Sequence, residues 1–178
     1  MVLFYGDSLA AGSFSNSEGE AFPGRVSTAL NAESTVVSQK GVRTYSFLSE
    51  HPRPPVKPDI AVVELGTNDV SVTPLNQFSE NYLRLIRSLE TESEHLVCVS
   101  VWINPSKAQS FNAAIEKLCG MVGGFFVDVT DLYKDSRNRG PAGDIVDGEV
   151  IDNFHPNSRG HRQIAQRIIS VIYDNGIS

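Results

Sequence analysis

The sequence predicts an α/β fold: a parallel sheet with helices on both faces. Three observations carry this reading. Five short apolar runs, at residues 2–5, 35–37, 59–65, 96–102 and 125–127, have the length and the β-branched or aromatic content of strands. Stretches with helical apolar spacing lie between them, and strand–helix alternation implies parallel pairing through right-handed crossovers. The third run is apolar through its centre, as in a strand buried on both faces. At 178 residues the chain fits one domain, spanning 1–178, with room for a sizeable core.

In order, the first strand stops at Gly6 and gives way to a loop of small and polar residues, 11–20, that permits close approach of a ligand. Pro23 sits where a helix can start, and Val26, Ala29 and Leu30 have helical spacing. The short second strand, 35–37, leads to a loop with Gly41 at its middle and then a short helical piece at 45–50. The stretch His51-Pro52-Arg53-Pro54-Pro55 cannot be helix interior, because proline lacks the amide donor; it is a surface connector, with His51 solvated.

The third strand ends abruptly at Gly66-Thr67-Asn68-Asp69. Thr73 and Pro74 then read as the cap and first residue of a helix. Its apolar stripe is Leu75, Phe78, Tyr82, Leu85, Ile86 and Leu89, and its charged end, 90–94, runs on to a solvated His95. After the fourth strand, Asn104-Pro105 breaks the pattern and a stripe of Ala108, Phe111, Ile115, Leu118 and Val122 follows. Beyond the fifth strand comes a long loop, 134–155, longer than an ordinary connection and therefore a place for function. The last helix, 158–173, turns Ile164, Ala165, Ile168, Ile169 and Ile172 inward and leaves His161 on the surface.

Composition narrows the partners. Hydrophobic residues make up 40% and charged residues 20%, as in a globular chain. With 15 Lys plus Arg against 21 Asp plus Glu, the formal charge is −6, which gives no basic excess to neutralise nucleic-acid phosphates. No apolar run approaches the roughly 20 residues of a membrane span. The first strand begins at once, without a basic leader, so the simplest expectation is a cytoplasmic protein; a mature secreted chain is the alternative. Cys98 and Cys119 have neither metal-ligand nor redox spacing and read as buried free thiols.

Several polar residues fall at carboxyl ends of strands, which share one edge of a parallel sheet, where ligands bind. Ser8 follows the first strand, Gly41 the second and Asn68 the third. Asp152 and His155 lie in the long loop after the fifth. Alone, Ser8 suits a nucleophile or a phosphate-binding turn equally well, and Asn68 can simply cap a turn. Asp152 and His155 fall short of the three or four protein ligands of a typical zinc site. Together the set makes chemical sense: a serine hydroxyl needs a base, His155 can supply one, and Asp152 can fix its tautomer. The amide of Ser8, an amide near Gly41 and the side-chain amide of Asn68 are candidate donors to an oxyanion. Asp69 reads as a loop stabiliser. Trp102 suits a pocket wall or the core equally.

Three blocks, Gly6-Asp7-Ser8-Leu9, Gly66-Thr67-Asn68-Asp69 and Asp152-Asn153-Phe154-His155-Pro156-Asn157, resemble the signature blocks of the GDSL, or SGNH, hydrolases. The resemblance covers nearly the whole chain. It implies a three-layer flavodoxin-like fold with strand order 2-1-3-4-5, Ser8 as nucleophile, His155 as general base and Asp152 as its orienting carboxylate. It also implies Asn68 as an oxyanion donor and ester or thioester hydrolysis without metal or organic cofactor. One block departs from the family pattern. The stretch Ser38-Gln39-Lys40-Gly41-Val42-Arg43-Thr44 leaves the backbone donor open between Gly41 and the amides of Arg43 or Thr44. The polar loop after Ser8 leans toward short acyl groups, such as acetyl, on a carbohydrate or small alcohol. An acyltransferase, a lysophospholipase or thioesterase on the same triad, and a flavin- or phosphate-binding module are the alternatives.

Overall fold

The computed structural model of the protein describes residues 1–146 and 148–177. Five parallel strands form one sheet: β1 (Val2–Gly6), β2 (Ser34–Ser38), β3 (Ile60–Glu64), β4 (His95–Val99) and β5 (Phe125–Val127), in the order β2-β1-β3-β4-β5. The main helices are α1 (Phe22–Leu30), α2 (Thr44–Glu50), α3 (Leu75–Glu90) and α4 (Pro105–Met121), with a short α5 (Thr130–Lys134) and the terminal α6 (Ser158–Asp174). The order reverses between β1 and β3, so the crevice beyond their carboxyl ends is the switch point of the sheet.

The period-two alternation of the strands divides the interior into two cores. Leu3 and Tyr5 pack, with Ala61, Val63 and Cys98, against Phe47, Phe78, Tyr82 and Ile115 of α2, α3 and α4. Val2, Phe4, Val62 and Val97 face the other way, onto Phe22 and Val26 of α1 and Ile164, Ile168 and Ile172 of α6. β2 lies at an edge and is only partly covered; its Val36 is 43% exposed. That explains why its apolar run is the weakest of the strands.

Local chemistry shifts several expected boundaries. His95 opens β4, pairing opposite Ile60, instead of ending a helix. The Ser100 amide still donates to the Val127 carbonyl at 2.9 Å, but the next amides turn to side chains: Val101 donates to Asn112 Oδ1 and Trp102 to Thr67 Oγ1, each at 3.0 Å. Pro74, not Thr73, occupies the N-cap of α3, while the Thr73 hydroxyl donates to Asp69 Oδ1 at 2.7 Å. Asn104 caps α4, accepting from the Ser106 amide with Pro105 at the first position. His51 is half-buried, its ring centroid 4.8 Å from that of Phe47. The long loop carries a 3-10 turn at Ser136–Asn138 and a small hairpin, β6 (Ile145–Val146) with β7 (Glu149–Val150); residue 147 lies outside the described residues.

The expectation of free thiols is overturned. Cys98 of β4 and Cys119 in the last turn of α4 form a disulfide, with Cα atoms 6.3 Å apart. The pairing was illegible because the partners stand 21 residues apart and meet only when α4 folds back along the sheet. A cross-link closing a loop of this length stabilises by about 3 kcal/mol, chiefly by restricting the unfolded chain. Replacing both cysteines with alanine is expected to lower the unfolding free energy by that amount in a urea titration. The parent protein, denatured without reductant, should titrate no free thiol.

Candidate active site

The site is assembled at the switch point from two strand ends and one loop. β1 ends at Gly6, where a Cβ would lie 2.4 Å from that of Ala10 and 3.0 Å from the Glu64 carbonyl oxygen. Only glycine fits there, and the chain turns at once: the Ala11 amide donates to the Asp7 carbonyl and the Ser13 amide to that of Ser8, each at 3.0 Å. This turn holds Ser8 at the carboxyl edge with 7% of its surface exposed.

Asp152 and His155 arrive from the loop that precedes α6. Asp152 Oδ1 accepts the amides of Phe154 at 2.8 Å and His155 at 2.7 Å, which curls the four residues into a tight turn. The other oxygen, Oδ2, lies 2.7 Å from His155 Nδ1. On the far side of the ring, His155 Nε2 is 2.9 Å from Ser8 Oγ. Partial burial works to raise the Asp152 pKa, but the His155 amide and ring and the Phe154 amide outweigh it and hold the carboxyl below its ordinary value. The loop is pinned from several sides. Trp102 Nε1 donates to the Phe154 carbonyl at 2.8 Å, and Asn157, the cap of α6, donates to the Gly140 carbonyl at 2.9 Å. Arg139 stacks over Tyr133 and donates to the Asn153 carbonyl. Trp102 is completely buried, so its place is the core beneath the loop, not a pocket wall.

β3 ends one residue before Leu65, and Gly66, at φ +118°, makes a turn that side chains rarely permit. Asn68 follows, partly exposed, with its Nδ2 2.9 Å from Asp7 Oδ2. Asp69 is buried and accepts the Thr44 amide at 2.9 Å and the Thr44 hydroxyl at 2.8 Å on the same oxygen. It latches the loop after β2 to the loop after β3, the stabilising part expected of it. The Thr44 amide is thereby committed to Asp69, which leaves the amides of Gly41 and Arg43 as the candidate backbone donors. Gly41 is exposed at the bend of its loop, at φ +72°.

Sequence reasoning missed a pair of buried carboxyls beneath Ser8. Asp7 is fully buried and Glu64, the last residue of β3, is 2% exposed. Asp7 Oδ1 accepts the Leu9 amide at 3.0 Å, and Glu64 Oε2 lies 3.4 Å from the Asp7 amide. Burial pushes Asp7 up to about 6. Burial, and then the neighbouring Asp7 charge, push Glu64 well above the usual carboxylate range. The available signal was an ionisable residue inside a strand otherwise apolar on both faces.

His161 was also misread, because a helix position cannot reveal which loop will cover it. It is completely buried, with Nε2 3.0 Å from the Ser13 carbonyl and Nδ1 accepting the Phe22 amide at 3.4 Å. It ties the loop after Ser8 to α1 and α6 and needs its neutral form to do so. Burial, the largest influence, lowers its pKa from 6.5 to about 4. Below pH 6.5 the unfolded chain therefore binds a proton that the folded chain refuses, and stability is lost as pH falls toward 4. Comparison with His161→Gln isolates this group, since the buried carboxyls are common to both proteins. The stability of the parent relative to the variant should fall by on the order of 3 kcal/mol between pH 7 and pH 4, measured by denaturant unfolding.

Solved structures share this fold. A lipase/acylhydrolase from Enterococcus faecalis superposes with a TM-score of 0.76 at 16% identity, over 98% of this chain and 95% of that one. A family two carbohydrate esterase from Clostridium thermocellum, solved with cellohexaose, gives 0.72 at 18% identity, over 98% and 63%. An acetyl-xylooligosaccharide esterase from Geobacillus gives 0.73 at 16% identity, over 99% and 94%. The chain thus spans less than two thirds of the Clostridium enzyme. The fold is the α/β architecture of these esterases. By sequence, residues 4–163 match the GDSL-like lipase/acylhydrolase family, and the chain belongs to that family of ester-hydrolysing enzymes. Among curated proteins no match is found. No helix among the described residues is long and apolar enough to cross a membrane.

Proposed function

We propose that residues 1–178 act as one catalytic unit, a serine esterase that removes short acyl groups such as acetyl from a sugar or small alcohol. The observation that carries this reading is the continuous contact from Ser8 Oγ through His155 to Asp152, at 2.9 and 2.7 Å. Asp152 holds the proton on Nδ1, so Nε2 is free to accept the Ser8 hydroxyl proton as Oγ attacks the ester carbonyl. The tetrahedral oxyanion rests on the Ser8 amide, an amide of Gly41 or Arg43, and Asn68. The Asn68 amide carries two hydrogens, of which Asp7 takes one. His155 then protonates the leaving alkoxide, and in the second half it deprotonates the water that releases the acid.

The Clostridium and Geobacillus proteins are named as carbohydrate esterases, and a cleft of about 500 Å³ lies beside the site. Phe14, Ile145 and Ile151 line this cleft beside Asn16, Asp144 and Arg159, and the Phe14 ring also packs edge-on against His155 at 5.2 Å. Apolar surface beside hydrogen-bonding side chains suits a sugar. A phosphate- or flavin-binding turn is disfavoured, because Asp7 and Glu64 place acidic groups beneath the loop that would cradle the anion. The Cys98–Cys119 bridge favours an oxidising compartment over the cytoplasm expected from the sequence. An acyltransferase would use the same relay with an alcohol in place of water.

A fluorophosphonate probe should form a covalent adduct that peptide mapping places on Ser8, and an adduct elsewhere would overturn the nucleophile. Rates on p-nitrophenyl esters should fall steadily from acetyl to decanoyl; a rise toward long chains would overturn the acyl preference.

A further inference from the structure

The two buried carboxyls beneath Ser8 lie outside the reaction steps, yet they touch its machinery. Two carboxylates in contact and out of water cannot both stay ionised, so the pair keeps a proton. The hydrogen-bond donors decide where that proton sits. Asp7 accepts the Leu9 amide at 3.0 Å, the Asn68 amide at 2.9 Å and the Ser8 hydroxyl at a marginal 3.5 Å. Such a surround belongs to an anion. Glu64 has poorer company: the Asp7 amide at a long 3.4 Å and the Ala10 amide on its acceptor side, while its Oε1 is buried with no partner among the described residues. The titratable groups that face Glu64 are Asp7 from the β1 turn and Tyr82 from α3, with His155 beyond Asp7. The proton therefore belongs to Glu64, whose Oε2 lies against the Asp7 backbone at 3.4 Å.

We infer that Glu64 is a positioning residue: as a carboxylic acid it donates to Asp7, and the carboxylate so fixed holds the Asn68 side-chain amide beside Ser8. Three residues from two strand ends thus act in series. Glu64 never meets the substrate. It keeps Asp7 from rotating toward other donors, and Asp7 in turn keeps one Asn68 hydrogen occupied and the other directed outward. The backbone enforces the contact, since Gly6 and Glu64 are register partners of β1 and β3.

This inference rests on the esterase reading, with Asn68 as an oxyanion donor, and glutamine and leucine variants separate it from a packing role. Glu64→Gln keeps the shape and always carries donor hydrogens. Its kcat on p-nitrophenyl acetate should stay within about 3-fold of the parent. Glu64→Leu removes the donor, and misplacement of a catalytic group by an ångström can cost about 100-fold. Its kcat should fall by about that factor with little change in KM. Infrared spectroscopy at neutral pH supplies a readout independent of activity: the parent should show the C=O stretch of a protonated carboxyl, and Glu64→Gln should lack it. The inference is overturned if that band survives in Glu64→Gln, if Glu64→Gln loses as much kcat as Glu64→Leu, or if a folded Glu64→Leu retains the parental kcat. A parent without esterase activity would instead sink the esterase reading, and the infrared band would still locate the proton.

Discussion

Replacing Ser8 with alanine is expected to lower kcat/KM on p-nitrophenyl acetate by on the order of 10⁵-fold, the scale seen when the nucleophile of a serine relay is removed. The change deletes one oxygen whose partners are the His155 ring at 2.9 Å and, marginally, Asp7 at 3.5 Å. Nothing in the sheet depends on it, so the thermal midpoint should stay within a degree or two of the parent. Loss of rate with retained stability identifies the nucleophile; a variant of unchanged activity would refute the whole assignment.

Asp152→Asn should cost about 10⁴-fold in kcat, and the local geometry says why. The amides of Phe154 and His155 both donate to Oδ1. An asparagine must place its oxygen there, because its NH₂ group cannot accept from two amides. The NH₂ group then faces His155 Nδ1 and donates to it. That forces the proton onto Nε2, the atom that faces Ser8, and the ring can no longer act as a base. Folding should be little affected, since the turn keeps both amide bonds. The measurement is kcat under saturating ester, with circular dichroism to verify the fold.

Much of the fold was written in local patterns. Strand runs such as Val2 to Tyr5 and Ile60 to Val63 are legible because burial on both faces demands uninterrupted apolar side chains. The stripe of α3 is legible because one face of that helix meets the sheet. The ordered blocks around Ser8, Asn68 and His155 were legible for a different reason: chemistry restricts residue type at strand ends more tightly than packing does. What could not be read depends on which surfaces meet. His161 looks like any polar helix residue until the loop of Ser13 closes over it, and Cys98 finds Cys119 only through the path of α4. Glu64 was counted as part of a strand, but its meaning comes from Asp7 across the β1–β3 pair. The open choice among Gly41, Arg43 and Thr44 was narrowed by a side chain from another loop, Asp69.

The turn from Asp152 to His155 makes the imidazole and the carboxylate a single cartridge. Their mutual contact spans three residues, so it survives any movement of the loop that carries them, whereas the contact with Ser8 spans 147 residues and depends on how that loop is seated. Trp102, Arg139 and Asn157 are the fastenings of that seat. The 3-10 turn and hairpin lie upstream of the cartridge and outside the sheet. Sequence drift there can reshape the approach to Ser8 while Asp152 and His155 remain aligned, so in the proposed mechanism substrate preference and proton transfer are free to evolve on separate pieces of chain.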